Sequence, residues 1–136
     1  MTYAGDLTPQ EAYDLVRDQP DAVLVDVRTT AEWDQVGIPD LGGIGKEVAL
    51  IEWERYPDGS VNPDFATQLQ DVVPDGAPVL MICRSGVRSV AAAHAATAAG
   101  IGPAYNVLEG FEGAADAFGR RRTSGWQVAG LPWRQR

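Results

Sequence analysis

A solitary cysteine lies in the segment Cys83-Arg84-Ser85-Gly86-Val87-Arg88-Ser89. These residue types at this spacing suit the chemistry of an anionic sulfur. The thiolate, not the thiol, is the nucleophile of cysteine chemistry. Inward-turned backbone N–H groups, a helix N-terminus and nearby cations all favour it. Gly86 allows a positive φ or a close approach to a ligand, so a tight loop here can form an anion nest. Arg84 and Arg88 add positive charge, and Ser89 is placed to cap the helix that follows. No histidine base is required. The single histidine, His94, stands more than a turn into that helix and, with Thr97, marks its solvated face. A lone cysteine is ordinarily a buried, inert small hydrophobe; the loop around Cys83 argues against that fate.

The rest of the composition narrows the chemistry. Eleven Lys and Arg against nineteen Asp and Glu give a net charge of −8. That disfavours nucleic-acid binding, which depends on cations neutralising phosphates, and it disfavours anionic membranes. The run Arg120-Arg121-Arg122 is too short to reverse this and reads as a solvated segment. One cysteine excludes an intrachain disulfide, and with one histidine it excludes a metal site built from thiolates and imidazoles. No metal or cofactor is expected. The N-terminus shows no basic and apolar leader pattern, and no stretch approaches the roughly 20 apolar residues of a membrane span. The expected setting is a reducing cytoplasm, where a thiol stays free. Gly42-Gly43-Ile44-Gly45-Lys46 is not a phosphate loop, because Asp40 and Glu47 stand where glycine and Ser or Thr are needed.

The elements that must position Cys83 follow from the pattern. Thr8, Pro9 and Glu11 form a helix start with a capping box, and Ala12, Leu15 and Val16 give that helix an apolar stripe. Residues 22–27 and 78–83 are short apolar runs, the mark of strands buried on both faces of a parallel sheet. Thr29 or Thr30 caps a short helix through Glu32 and Trp33. Residues 37–45 read as loop, 48–53 as strand, 56–60 as turn, and 63–73 as helix with Phe65, Leu69 and Val72 or Val73 inward. Residues 89–99 form an alanine-rich helix closed by Gly100. Residues 105–108 are a further strand, and 109–119 a glycine-rich helix or turn. Alternation of helix and strand predicts an α/β fold with a mostly parallel sheet. The 136 residues suit one domain, with a core over 1–119 and a C-terminal extension, 120–136, packing on it. Glu52, Trp53 and Glu54 could line a pocket mouth, but Trp53 is the better candidate for plain core.

The loop from Cys83 to Ser89 resembles the active-site loop of single-domain rhodaneses. Leu24-Val25-Asp26-Val27-Arg28 followed by Glu32-Trp33 is similar to that family's strand and helix motif. Gly37-Ile38-Pro39 stands where the family usually has Gly-His-Ile-Pro-Gly-Ala; here the His is missing and Asp40-Leu41 replaces Gly-Ala. The tail, from Asn106-Val107-Leu108-Glu109-Gly110-Phe111-Glu112-Gly113 to Gly130-Leu131-Pro132-Trp133, resembles a bacterial subgroup of the family. The resemblance implies a five-stranded parallel sheet flanked by helices on both faces. It implies that Cys83 takes sulfur from a small anionic donor such as thiosulfate and passes it, as a persulfide, to cyanide or a thiol. The amides of residues 84–89 would hold the persulfide charge, and Arg88, with Arg84, the donor. Asp26, Arg28 and Glu32 would form an ion network that fixes the loop from behind and performs no chemistry. With no second cysteine, the acceptor must come from outside.

Two other readings use the same residues. Cysteine-dependent phosphatases and arsenate reductases share the nest and the arginine, but their loops follow C-x5-R, one residue longer than Cys83-x4-Arg88. The shorter cradle suits one sulfur better than a phosphoryl group. A non-catalytic rhodanese-like interaction module is the other; such modules commonly lose the cysteine that this chain keeps.

Overall fold

The two apolar runs lie at the centre of a parallel sheet, where their composition demands. The computed structural model describes residues 3–55, 58–121 and 123–136. In chain order the elements are β1 (Gly5–Leu7), α1 (Pro9–Asp18), β2 (Val23–Asp26), α2 (Thr30–Val36), β3 (Ile38–Pro39), a 3-10 turn (Gly42–Ile44), β4 (Ala49–Leu50), α3 (Phe65–Val72), β5 (Val79–Ile82), α4 (Arg88–Ala98), β6 (Ala104–Val107) and β7 (Trp133–Arg134). Five strands form one parallel sheet in the order β1-β6-β5-β2-β4. β3 and β7 form a separate antiparallel pair.

Side chains of β5 divide between two cores. Val79 and Met81 meet Phe65 and Leu69 of α3 and Ala92, Ala93 and Ala96 of α4. Leu80 and Ile82 face Ala12 and Val16 of α1, together with Phe111, Trp126 and Leu131 from the C-terminal segment. Burial on both faces explains why these strands do not alternate polar and apolar residues. Alanines let α4 sit close on the sheet.

Capping is as the sequence suggests for α1, with Thr8 Oγ1 accepting from the Glu11 amide and Glu11 Oε1 from the Thr8 amide. Thr29, not Thr30, caps α2, with Glu32 completing the box. At the far end of α1, Lys46 Nζ donates to the carbonyls of Val16, Gln19 and Ala22 at 2.6, 2.7 and 3.0 Å. A cation there satisfies carbonyls that the helix leaves unpaired. Gly100 closes α4 with φ +76°.

Several expectations need correction. β1 escapes the sequence reading, because three residues containing Gly and Asp carry no apolar signal. β4 is shorter than 48–53, although the Ile51 and Trp53 amides extend the ladder to Asp26 and Val27. Val73 points inward and Val72 does not. Of the helix or turn expected over residues 109–119, the structure has the turns. Ser89 is not a cap: α4 begins at Arg88, with Val87 at the cap position, and the Ser89 hydroxyl is turned into the protein. His94 is half-buried, its ring edge-on to Tyr3 at 4.9 Å, so it does not mark a fully solvated face. Trp53 packs edge-on against Phe65 at 5.1 Å. Tyr56 and Pro57 of the expected turn, and Arg122 of the basic run, lie outside the described residues; Asp58 accepts from the Ser60 amide and hydroxyl in the remainder of that turn.

Candidate active site

Cys83 directly follows β5, and its side chain is 1% exposed. The loop turns at Gly86, whose φ is +103°, and the Gly86 amide donates to Cys83 Sγ at 3.1 Å. Among the described residues, the amides of Ser85 and Val87 find no protein acceptor, and the first-turn amides of α4 have none within the helix. A cleft of about 280 Å³ opens over this loop, lined by Glu32, Cys83, Arg84, Ser85, Val87 and Arg88. Arg84 is exposed and makes no ion pair among the described residues.

Arg88 is committed elsewhere. Its guanidinium donates to both oxygens of Glu32 at 2.7 and 2.9 Å, and both side chains are about four-fifths buried. Burial would push the Glu32 carboxyl up. The Arg88 hydrogen bonds and charge, with the Thr29 amide, outweigh it and hold the group below its ordinary 4.5. Arg88 is raised in turn, chiefly by its hydrogen bond to Glu32.

The expected network of Asp26, Arg28 and Glu32 is therefore two separate pairs. Asp26 and Arg28 are both fully buried. Arg28 Nε and Nη2 donate to Asp26 at 3.0 and 2.6 Å, and Nη2 also donates to the Gly37 carbonyl at 2.8 Å. The guanidinium lies over the Phe111 ring at 4.2 Å. Glu32 makes its pair across 56 residues of sequence with Arg88, a partner that local spacing does not reveal.

Because the folded-state carboxyl of Glu32 titrates below its unfolded value, its stabilising effect is present above about pH 4.5. It is lost as pH falls through the folded-state value. Glu32→Gln keeps a side-chain oxygen for the capping box, but it removes the charge and replaces one of the two oxygens that accept from Arg88 with an NH2 donor. It is expected to cost roughly 1.5–3 kcal/mol at pH 7. The difference in melting temperature from wild type should shrink steadily below pH 4.5. A difference that stays constant down to pH 3, on the order of a full titration range below that point, would refute the charged pair.

Residues that the sequence reading missed hold the loop from behind. The Phe111 amide donates to the Cys83 carbonyl at 2.7 Å, and the Glu112 and Gly113 amides donate to the Arg84 carbonyl at 3.0 and 3.1 Å. From the other side, Ser89 Oγ lies 3.2 Å from Cys83 Sγ and donates to Asn106 Oδ1 at 2.5 Å. Asn106 Nδ2 donates to Asp6 at 3.0 Å, which also accepts from the Tyr3 hydroxyl at 2.7 Å. The run of glycines after Leu108 was visible in the sequence, but its target was not.

The fold is that of a rhodanese-like protein. A family model for the rhodanese-like domain matches residues 8–117, and the chain belongs to that family. An uncharacterized protein of Rickettsia conorii is 38% identical over 125 residues, covering 90% of this chain and 91% of the relative. The crystal structure of Rv0390 from M. tuberculosis superposes with a TM-score of 0.92 at 54% identity, covering 99% of this chain and 100% of that one. The solution structure of a polysulfide-sulfur transferase homodimer from Wolinella succinogenes has a TM-score of 0.62 at 22% identity, covering 96% and 78% of the two chains; it shares the fold. Among the described residues, no helix is long and apolar enough to cross a membrane.

Proposed function

We propose that this protein is a sulfurtransferase that carries sulfur as a persulfide on Cys83. The observation that carries the reading is the Gly86 amide aimed at Cys83 Sγ at 3.1 Å, beside further unused amides in a loop that lines a small cleft. In the first step the Cys83 thiolate attacks the outer sulfur of thiosulfate. The S–S bond of the donor breaks, its electron pair leaves with sulfite, and Cys83 becomes an S–S⁻ persulfide. In the second step cyanide or an external thiolate attacks the terminal sulfur, and the Cys83 thiolate departs. This is covalent ping-pong catalysis. The free amides of the loop suit the persulfide charge, now carried one atom further out.

The arginines divide the work differently from the expectation. Arg88 is tied to Glu32, so it serves as a fixed wall of the cradle and contributes its field. Arg84, exposed and without an ion-pair partner among the described residues, is the cation that meets the incoming donor.

Intact-mass measurement after thiosulfate treatment tests this. A gain of one sulfur is expected in the wild type and not in Cys83→Ser, with sulfite released in equal amount. Hydrolysis of p-nitrophenyl phosphate with no sulfur loading would replace this reading with the phosphatase one. Neither activity would favour an interaction module.

A further inference from the structure

Asp6 makes two hydrogen bonds that fix the atoms behind it. Both Tyr3 and Asn106 donate to its carboxylate, and these bonds hold its carboxyl below the ordinary carboxylate range. A carboxylate only accepts, so Asn106 must turn its NH2 group to Asp6 and its Oδ1 to Ser89. An amide oxygen also only accepts, so the single Ser89 proton lies on the 2.5 Å line to Asn106. What Ser89 Oγ then presents to Cys83 Sγ, 3.2 Å away, is a lone pair. The hydrogen in that contact belongs to the thiol.

We propose that Asn106, pinned by Asp6, is a positioning residue that acts through Ser89: it keeps a hydroxyl lone pair, not a proton, turned toward Cys83 Sγ at rest. The inference rests on Cys83 being the sulfur carrier, because only then does the thiolate matter to turnover. Ser89 is fully buried and Asn106 is 2% exposed, so water does not relieve the arrangement. When Cys83 ionises, the Ser89 hydroxyl must rotate to donate to Sγ. Asn106 Oδ1 then loses its donor, at the cost attached to a buried acceptor left unpaired. An amide does not pass a proton onward, so the chain Asp6–Asn106–Ser89–Cys83 sets an orientation and is not a proton wire. It crosses from β1 to β6 to α4, and none of Asp6, Asn106 and Ser89 lines the cleft.

Asn106→Leu tests the assignment. Without Oδ1, the Ser89 hydroxyl is free to donate to the thiolate. Iodoacetamide should then alkylate Cys83 about tenfold faster at pH 6. The acceleration should vanish when Ser89→Ala is added. Asp6→Ala, an exposed change that releases the Asn106 amide to turn and frees the Tyr3 hydroxyl, should give a smaller acceleration that Ser89→Ala also removes; it decides the matter if Asn106→Leu does not fold. The other charged groups around Cys83 are untouched in each variant: Arg84 and Arg88, Glu32 across the cleft, the Asp26–Arg28 pair at the end of β2, and Glu109, which accepts from the Gly125 amide. Wild-type alkylation rates in the folded variants, or an acceleration that persists with Ser89→Ala, would overturn the proposal. Alkylation requires no sulfur transfer, so the mass measurement of persulfide fails or succeeds independently of it.

Discussion

Arg28→Ala is expected to lower the free energy of unfolding by about 3–5 kcal/mol, the usual effect of stranding a buried charge. Asp26 and Arg28 are each 0% exposed. Removing the guanidinium leaves the Asp26 carboxylate with the backbone amide of residue 28 as a partner at 3.1 Å. It also removes the donor to Gly37 and the cation over Phe111, and it opens a cavity in a core that holds few voids. Against a typical total stability of about 5–15 kcal/mol, this is a large fraction. Arg28→Lys should fall between the two, because an ammonium is a point charge and cannot reproduce the forked contact. Urea denaturation at pH 7 measures the difference. Sulfur loading on Cys83 should fall only as the fold is lost. A variant that unfolds like the wild type but loads no sulfur would move Arg28 from support into the chemistry.

Arg28 also shows how the sequence speaks and where it stops. Asp26 and Arg28 are two residues apart at the end of an apolar strand, and a charge that close to a buried run needs a near partner, so the pair was legible. Glu32 belongs to the same motif by resemblance, which groups it with them. Its partner is Arg88, which tertiary folding brings from α4. The same division holds for the strands. β2 and β5 announce themselves because both faces are buried, whereas β1 is an edge strand of Gly5, Asp6 and Leu7 whose pairing with β6 leaves no composition signal. The fifth strand came only from the family resemblance.

Ser89 is the sharper case. A serine at the start of a helix, after a glycine loop, satisfies the rule for a cap. It is buried instead, since Asn106 offers an acceptor at 2.5 Å and the helix begins one residue earlier. Nothing local to Ser89 distinguishes a hydroxyl turned back to its own helix from one turned to a neighbouring strand. The tail illustrates the same limit: Trp126, fully buried, fills the core beside Leu80 and Leu24, and its indole donates to the Pro132 carbonyl at 2.7 Å. The aromatic was visible, but not the gap that it fills.

The largest effect on the site from a residue outside the cleft is expected at Gly110. Its φ is +65°, and a Cβ there would stand 2.5 Å from the Cys83 carbonyl oxygen and 2.6 Å from the Arg84 carbonyl carbon and oxygen. These are backbone atoms of the cysteine loop, so no side chain can swing aside to make room. The preceding residue, Glu109, also has positive φ, at 68°, which makes the turn doubly dependent on its conformation. Gly110→Ala must therefore either flatten this turn or push the Cys83–Arg84 backbone away. Either change breaks the bonds from the Phe111, Glu112 and Gly113 amides that hold the loop. Backbone strain of this kind costs about 1–3 kcal/mol, and a displacement of the reacting sulfur by about 1 Å can reduce rate by on the order of a hundredfold. Gly130→Ala is the matched control: its φ is +77°, but a Cβ there meets nothing within 4 Å. It should lose about 1 kcal/mol of stability and keep its sulfur loading. The comparison is read from melting temperature and from the rate of persulfide formation by mass. Equal loading rates in the two variants would show that the contact between Gly110 and the Cys83 carbonyl does not govern the position of the sulfur.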